Sequence, residues 1–235
     1  MAKILIAGAN GGIAQALGAE LASRGHVLFS VSRGAKPAWS ELHFKADLSL
    51  GESVESLTPW LSGLDQPPEI VIQCSGLLHN TESRPEKRLS QMSERWLHQN
   101  LSANVVAHMH LAQAISPWVN RRNRVHWVSL SAMVGSIEDN QLGGWYSYRM
   151  TKAALNMLIR NLHIEWTRKS PESIVVALHP GTTDTSLSEP FQANIADDKL
   201  YSSELTGRRL SDVIETLSSE QSGHLLHWDG SILPF

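Results

Sequence analysis

The sequence predicts a three-layer α/β fold: a doubly wound sheet of about seven parallel strands with helices on both faces. Three observations carry this expectation. Short β-branched runs alternate with longer helical patterns along the whole chain. Those runs are nearly continuous apolar stretches, as strands covered on both faces should be, rather than strict alternations. No repeat, low-complexity tract or linker divides the 235 residues, so residues 1–235 read as one domain with a core large enough to need no staple.

The elements follow in order. Ile4-Leu5-Ile6 is the first strand, and Ile13, Leu17 and Leu21 share a face of the helix after it. Val27 to Val31 and Leu42-His43-Phe44 are the second and third strands. Pro67-Pro68 marks a sharp entry to the fourth, Ile70-Val71-Ile72, since neither ring can donate to a ladder. Met92, Trp96, Ala103, Ala107 and Leu111 predict one face of a long helix that leads to the fifth strand, Val125 to Leu130. Ala154, Met157, Leu158 and Leu162 predict the buried face of the helix after Tyr148. Ile174 to Leu178 and Leu225-Leu226-His227 complete the set, and the apolar tail Trp228 to Phe235 is expected to pack on its own subunit or at an oligomer interface.

Composition excludes several classes of function. Lys plus Arg is 20 against 23 Asp plus Glu, a formal charge of −3 without the basic footprint of a nucleic-acid binder. No run of about 18 apolar residues suggests a membrane span. Met1-Ala2-Lys3 runs straight into the first strand, leaving no room for a leader. The single cysteine, Cys74, fits a reducing compartment, so the chain reads as cytoplasmic. Eleven histidines raise the question of a metal, but His108 and His110 fall on different helix faces, and His224 and His227 have no thiol or carboxylate in ligand spacing. No metal is expected.

Gly8-Ala9-Asn10-Gly11-Gly12-Ile13 lies between the first strand and its helix. Glycine there lets backbone approach a pyrophosphate, and the helix start offers free N–H groups and the positive dipole end. The bland alternative is a tight connection. At the end of the second strand stand Ser32-Arg33, with no carboxylate to take a ribose 2′-hydroxyl and a guanidinium able to pair with a 2′-phosphate. This favours NADP(H) over NAD(H), the alternative being a solvated arginine.

Tyr148 and Lys152, at i and i+4, share one helix face. A nearby ammonium is expected to lower the phenol's pKa toward the useful range for proton transfer. An exposed helix pair is the alternative. Ser131 follows the fifth strand at the carboxyl edge, where open parallel sheets bind ligands. Asn100 lies on the face of Trp96, Ala103 and Ala107, either as a fourth site residue or as a satisfied core amide.

Taken together these residues resemble the short-chain dehydrogenase/reductase family with its Rossmann fold, from Lys3 to Phe235. The glycine loop is similar to TGxxxGxG, with Ala7 and Ala14 in place of the threonine and the last glycine. Asp47-Leu48 resembles the adenine-contacting pair, and Gln73-Cys74-Ser75-Gly76 stands where Asn-Asn-Ala-Gly is usual. Pro180-Gly181-Thr182-Thr183-Asp184-Thr185 is similar to the nicotinamide-side Pro-Gly-x-x-x-Thr segment. Gly135-Ser136-Ile137, Gly143 to Arg149 and Lys152 to Asn156 resemble the C-factor and Sniffer-like carbonyl reductase branch, where Tyr146 is not the catalytic tyrosine because Met150 lies four residues on.

The resemblance implies hydride transfer between a nicotinamide and a carbonyl or secondary alcohol. Tyr148 is then the general acid, Lys152 its electrostatic partner, Ser131 the group that orients the carbonyl and Asn100 the holder of a relay water. Gly8, Asn10, Gly12, Ile13, Ser32, Arg33, Asp47, Leu48, Cys74, Ser75, Gly76, Pro180, Gly181, Thr183 and Thr185 are expected to line the cofactor together with Tyr148 and Lys152. Residues 185–206, with scattered polar residues and no long apolar period, are expected to form a substrate loop or lid. Relatives make a homodimer or tetramer plausible. The competing reading is a C-factor-like dinucleotide-binding regulator with little or no turnover.

Overall fold

The computed structural model describes residues 1–235. The elements are β1 (Lys3–Ala7), α1 (Gly12–Ser23), β2 (Val27–Ser32), β3 (Leu42–Lys45), α2 (Glu52–Ser62), β4 (Ile70–Gln73), α3 (Glu94–Leu101), α4 (Ala107–Ile115), β5 (His126–Leu130), α5 (Tyr146–Lys169), β6 (Ile174–His179), β7 (Thr182–Thr183), β8 (Leu200–Tyr201), α6 (Ser203–Glu215), β9 (Leu225–His227) and β10 (Ile232–Leu233). Eight of the strands form one sheet in the order β10-β9-β6-β5-β4-β1-β2-β3, and β7 pairs with β8 in a small separate ladder.

The seven expected strands are all present and mutually parallel, and β10 adds an antiparallel edge against β9. The chain winds outward from β1 through β2 to β3, then returns to β4 and winds the other way. That reversal between β1 and β4 opens a crevice at the carboxyl ends of the strands.

Alternation along the strands divides the core between the two faces. Leu5, Val71, Trp127 and Val175 pack with Leu57 and Leu61 of α2, Leu111 and Ile115 of α4 and Leu155, Ile159 and Trp166 of α5. Ile4, Ile6, Ile72, Val128 and Val176 face Leu17 and Leu21 of α1 and Leu210 and Ile214 of α6. Because both faces are covered, the strands carry apolar residues on both sides. No helix is long and apolar enough to cross a membrane.

Three local expectations need correction. The face of α5 that meets the sheet runs through Leu155, Ile159, Leu162 and Trp166, whereas Met157 is 61% exposed and Ala154 half-buried. Met92 precedes α3, and the predicted single helix is interrupted by a π-helical turn over Ser102–Val106 that displaces Ala103 from the buried stripe. The last four residues of the 185–206 segment are already in α6. The tail packs on its own chain: β10 extends the sheet, Phe235 packs on the core and its carbonyl accepts from the Glu138 N–H at 3.2 Å.

Candidate active site

Two cavities run along the carboxyl edge and share Gly11, Cys74, Ser75 and Gly76, so they form one elongated cleft. The smaller, about 450 Å³, is lined by Gly8, Asn10, Ser32, Arg33, Asp47 and Leu48 among others. The larger, about 710 Å³, takes in Gly12, Ile13, Ser131, Tyr148, Lys152, Pro180, Gly181, Thr183 and Thr185. Every residue expected to touch the cofactor therefore lines this cleft, and Asn100 does not.

The glycine loop is shaped by close approach. Gly8, at φ 70°, lies where a Cβ would come within 2.7 Å of the Ser75 N–H nitrogen, and a Cβ on Gly12 would meet Thr185 at 2.8 Å. The first α1 bond in the chain is Gln15 N–H to Gly11 O, and no side chain caps the helix. The amides of Gly12, Ile13 and Ala14 thus remain free at the positive end of the helix, which suits a pyrophosphate. Asn10 knits this loop to the turn after β2: its Oδ1 accepts from Ser32 Oγ and from Gly34 N–H, and its Nδ2 donates to Ala35 O.

At the adenosine end, Arg33 is 80% exposed and lies 3.6 Å from Asp47. Asp47 accepts from Ser49 N–H and Oγ; against a desolvation that raises its pKa, those bonds and the Arg33 charge hold it below the usual carboxylate range. Arg33 is the cation at this turn that is free to reorient toward a 2′-phosphate. The cleft's residues fit a dinucleotide.

In the larger cavity, Lys152 is fully enclosed, donates to the Leu130 carbonyl at 2.9 Å and lies 5.8 Å from the Tyr148 ring centre. Burial lowers its pKa to about 8. Burial raises the Tyr148 pKa, which corrects the expectation that Lys152 lowers it. Helical spacing supplies proximity, but enclosure disfavours the phenolate more than the ammonium, with its own carbonyl partner, favours it. Tyr148 is therefore a protonated phenol at neutral pH. Ser131 Oγ donates to Asn156 Oδ1 at 2.7 Å, and that amide is oriented by its own donation to Gly135 O.

Asn100 is buried one turn behind the site and donates to Trp96 O. The asparagine that reaches the cleft loop is Asn104, in the π-helical turn. It accepts from Leu77 N–H at 2.7 Å and donates to Leu77 O and Thr151 Oγ1, with Asn100 Oδ1 at 3.3 Å. A Cβ placed on Gly76 would lie between Asn104 Oδ1 and Lys152 Nζ, at 3.5 and 3.7 Å. Sequence reasoning missed Asn104 and Asn156. Both carried a signal, since each continues an i, i+4 series, Asn100–Asn104 and Tyr148–Lys152–Asn156. Burial keeps the Cys74 thiol neutral by pushing its pKa up to about 12, and His108 is a buried neutral ring bonded to Ser129 Oγ and Ser75 O.

A family profile described as short chain dehydrogenase matches residues 2–196. The chain belongs to that family. The 1-hydroxy-2-glutathionyl-2-methyl-3-butene dehydrogenase of a Rhodococcus species is 28% identical over 237 residues, covering 99% of each chain. The fold matches that of the carbonyl reductase Sniffer of D. melanogaster, with TM-score 0.84 and 22% identity over 100% of both chains. It also matches an NADPH-bound carbonyl reductase from chicken fatty liver, with TM-score 0.82 and 22% identity over 100% of this chain and 99% of that one. The protein is thus an oxidoreductase of a nicotinamide-binding family, with the Rossmann-type sheet the sequence predicts.

Proposed function

We propose that this short-chain dehydrogenase is an NADP(H)-dependent carbonyl reductase, interconverting a carbonyl and a secondary alcohol. The convergence of Ser131, Tyr148 and Lys152 on the one cavity that continues into the glycine loop carries this reading. When bound, the nicotinamide supplies the hydride. Tyr148, protonated at neutral pH, gives its proton to the carbonyl oxygen, and the Lys152 ammonium on the same helix face stabilises the phenolate left behind. Ser131 turns its hydroxyl from Asn156 to that oxygen. Arg33 supports the preference for NADP(H), as does the NADPH bound to the avian carbonyl reductase of the same fold.

The proposal takes residues 1–235 as one cofactor-binding domain, 185–206 as its substrate segment and the reducing cytoplasm as its site, where Cys74 stays a thiol. Met150, Met157 and Ile164, exposed at seven-residue spacing on α5, support a homo-oligomer.

Fluorescence titration with NADPH and then NADH tests the reading, since eight tryptophans report a bound reduced nicotinamide. NADPH is expected to bind more tightly. Tyr148→Phe is expected to keep that binding and lose about 10²–10⁴-fold in turnover. A variant that reduces carbonyls at nearly the native rate would falsify the proton-donor assignment, and failure to bind either cofactor would overturn the whole reading.

A further inference from the structure

The backbone that leads into α5 is unusual. Gly143, Gly144 and Trp145 have φ of 63°, 65° and 50°, and Trp145 is the only non-glycine residue with positive φ. That conformation costs a bulky L-residue about 1–2 kcal/mol, and outliers of this kind gather at functional sites. Glu86 holds it in place. Its backbone carbonyl accepts the Trp145 N–H, and its carboxylate, 3% exposed, accepts from both the N–H and the hydroxyl of Ser147.

The strained turn aims the indole into the catalytic cavity. Trp145 lies 6.2 Å from the Tyr148 ring, edge to face, and 5.2 Å from Phe191 of the 185–206 segment. Phe191 in turn meets His79, from the loop after β4, at 5.6 Å. Three separate parts of the chain thus build an aromatic ladder that ends on the catalytic phenol. The His79 Nε2 is already bonded to Ser186 O. Leu78, Met133, Leu187 and Ile195 extend the apolar wall. Among all the lining residues there is no Asp, Glu or Arg, and the one Lys is Lys152, whose ammonium already donates to Leu130 O.

We infer that the substrate is an uncharged carbonyl compound with an aromatic body that stacks against Trp145 and Phe191, an inference that rests on the carbonyl-reductase reading above. Offset or edge-to-face stacking beside a phenol rewards such a body. A carboxylate or phosphate on that body would be stripped of water, and the one Lys or Arg in the lining, Lys152, is buried with its ammonium on Leu130 O.

Two matched pairs of probes test this. With the native protein and NADPH, methyl para-formylbenzoate should show a KM at least about tenfold below that of para-formylbenzoate, its charged counterpart. In Trp145→Gly, which relieves the positive φ and so spares the fold, the kcat/KM ratio of phenylpropanedione over butanedione should drop at least about tenfold. Trp145→Phe should restore most of the ratio. Calorimetric binding of methyl benzoate, which has no ketone or aldehyde, to the NADP-loaded protein should weaken in the glycine variant.

An equal KM for the charged and neutral aldehydes overturns the inference. So does an unmoved dione ratio in a glycine variant that melts normally and titrates with NADPH. Those results leave the carbonyl-reductase reading intact. If NADPH binds and no carbonyl is reduced at all, that reading falls, and the inference falls with it.

Discussion

Lys152, the proposed partner of Tyr148, shows how far a single cleft residue departs from what stability alone would select. Its ammonium is sealed in the protein with one carbonyl partner, and burial lowers its pKa to about 8. An unfolded lysine titrates near 10.4, so between about pH 8 and 10.4 the unfolded chain binds the extra proton and stability rises with pH. Below pH 8 the folded protein carries the full cost of the buried charge. Lys152→Met, which fills the same volume, should therefore melt higher than the native protein at pH 7 without cofactor, by about 1 kcal/mol or 2–4 °C. The gap should close as the pH approaches 10, and turnover should be lost. A variant that melts lower at pH 7, in scanning calorimetry at both pH values, would show that the Leu130 hydrogen bond outweighs the desolvation. The pairing of Tyr148 with Lys152 was legible in the sequence because helical spacing fixes which side chains are neighbours. The sign of the Tyr148 shift was not, because spacing carries no information about how deeply a helix start is enclosed.

At the scale of elements, α5 brings Tyr148 and Lys152 to the cleft, and its first turn is anchored from a distant loop. No side chain within the helix caps it; Glu86, 61 residues upstream of Ser147, supplies the acceptors at the positive end of the dipole. Glu86→Ala should leave the Ser147 N–H unsatisfied and release Trp145, costing about 1–3 kcal/mol. Urea denaturation should show that loss, together with a lower kcat and little change in NADPH affinity. Stability unchanged within about 0.5 kcal/mol would mean that the helix start finds other acceptors. Such a contact has no local signature, so Glu86 could not be recognised from the sequence. The strands could, since apolar runs such as Val125 to Leu130 and Ile174 to Leu178 are long enough to fix type and place. The buried face of α5 was legible in part: Leu162 is in the core and Leu158 packs against it, but Met157 is equally apolar, and only the packing of Leu155 and Ile159 against the sheet excludes it. The π-helical turn was missed for a related reason. One extra residue in the turn leaves a helical pattern almost intact, so nothing in the pattern shows that Asn104, within that turn, is the amide that bonds the Leu77 backbone of the cleft loop.

For the whole molecule, the cleft joins the two halves of the sheet. Gly8 and Arg33 belong to the half wound from β1 to β3, and Ser131, Tyr148 and Thr185 to the half wound from β4 to β9. A dinucleotide lying along the cleft binds the folded arrangement and not the unfolded chain, so it stabilises the protein by mass action. At about one hundred times Kd the gain is about 2.7 kcal/mol, which for a chain of this size raises Tm by roughly 5–10 °C. Comparison of cofactors at equal concentration then isolates the adenosine end, since NADPH and NADH differ only by the 2′-phosphate. Arg33 is exposed and its Asp47 contact is long, so it can turn to that phosphate at little cost. The native protein should therefore show a larger shift with NADPH than with NADH, and added salt should narrow the difference by screening an exposed cation. In Arg33→Ala the two shifts should become equal through loss of the NADPH advantage alone. If the NADPH preference survived that substitution, recognition of the phosphate would have to come from the neighbouring hydroxyls of Ser32 and Ser49, which line the same cavity.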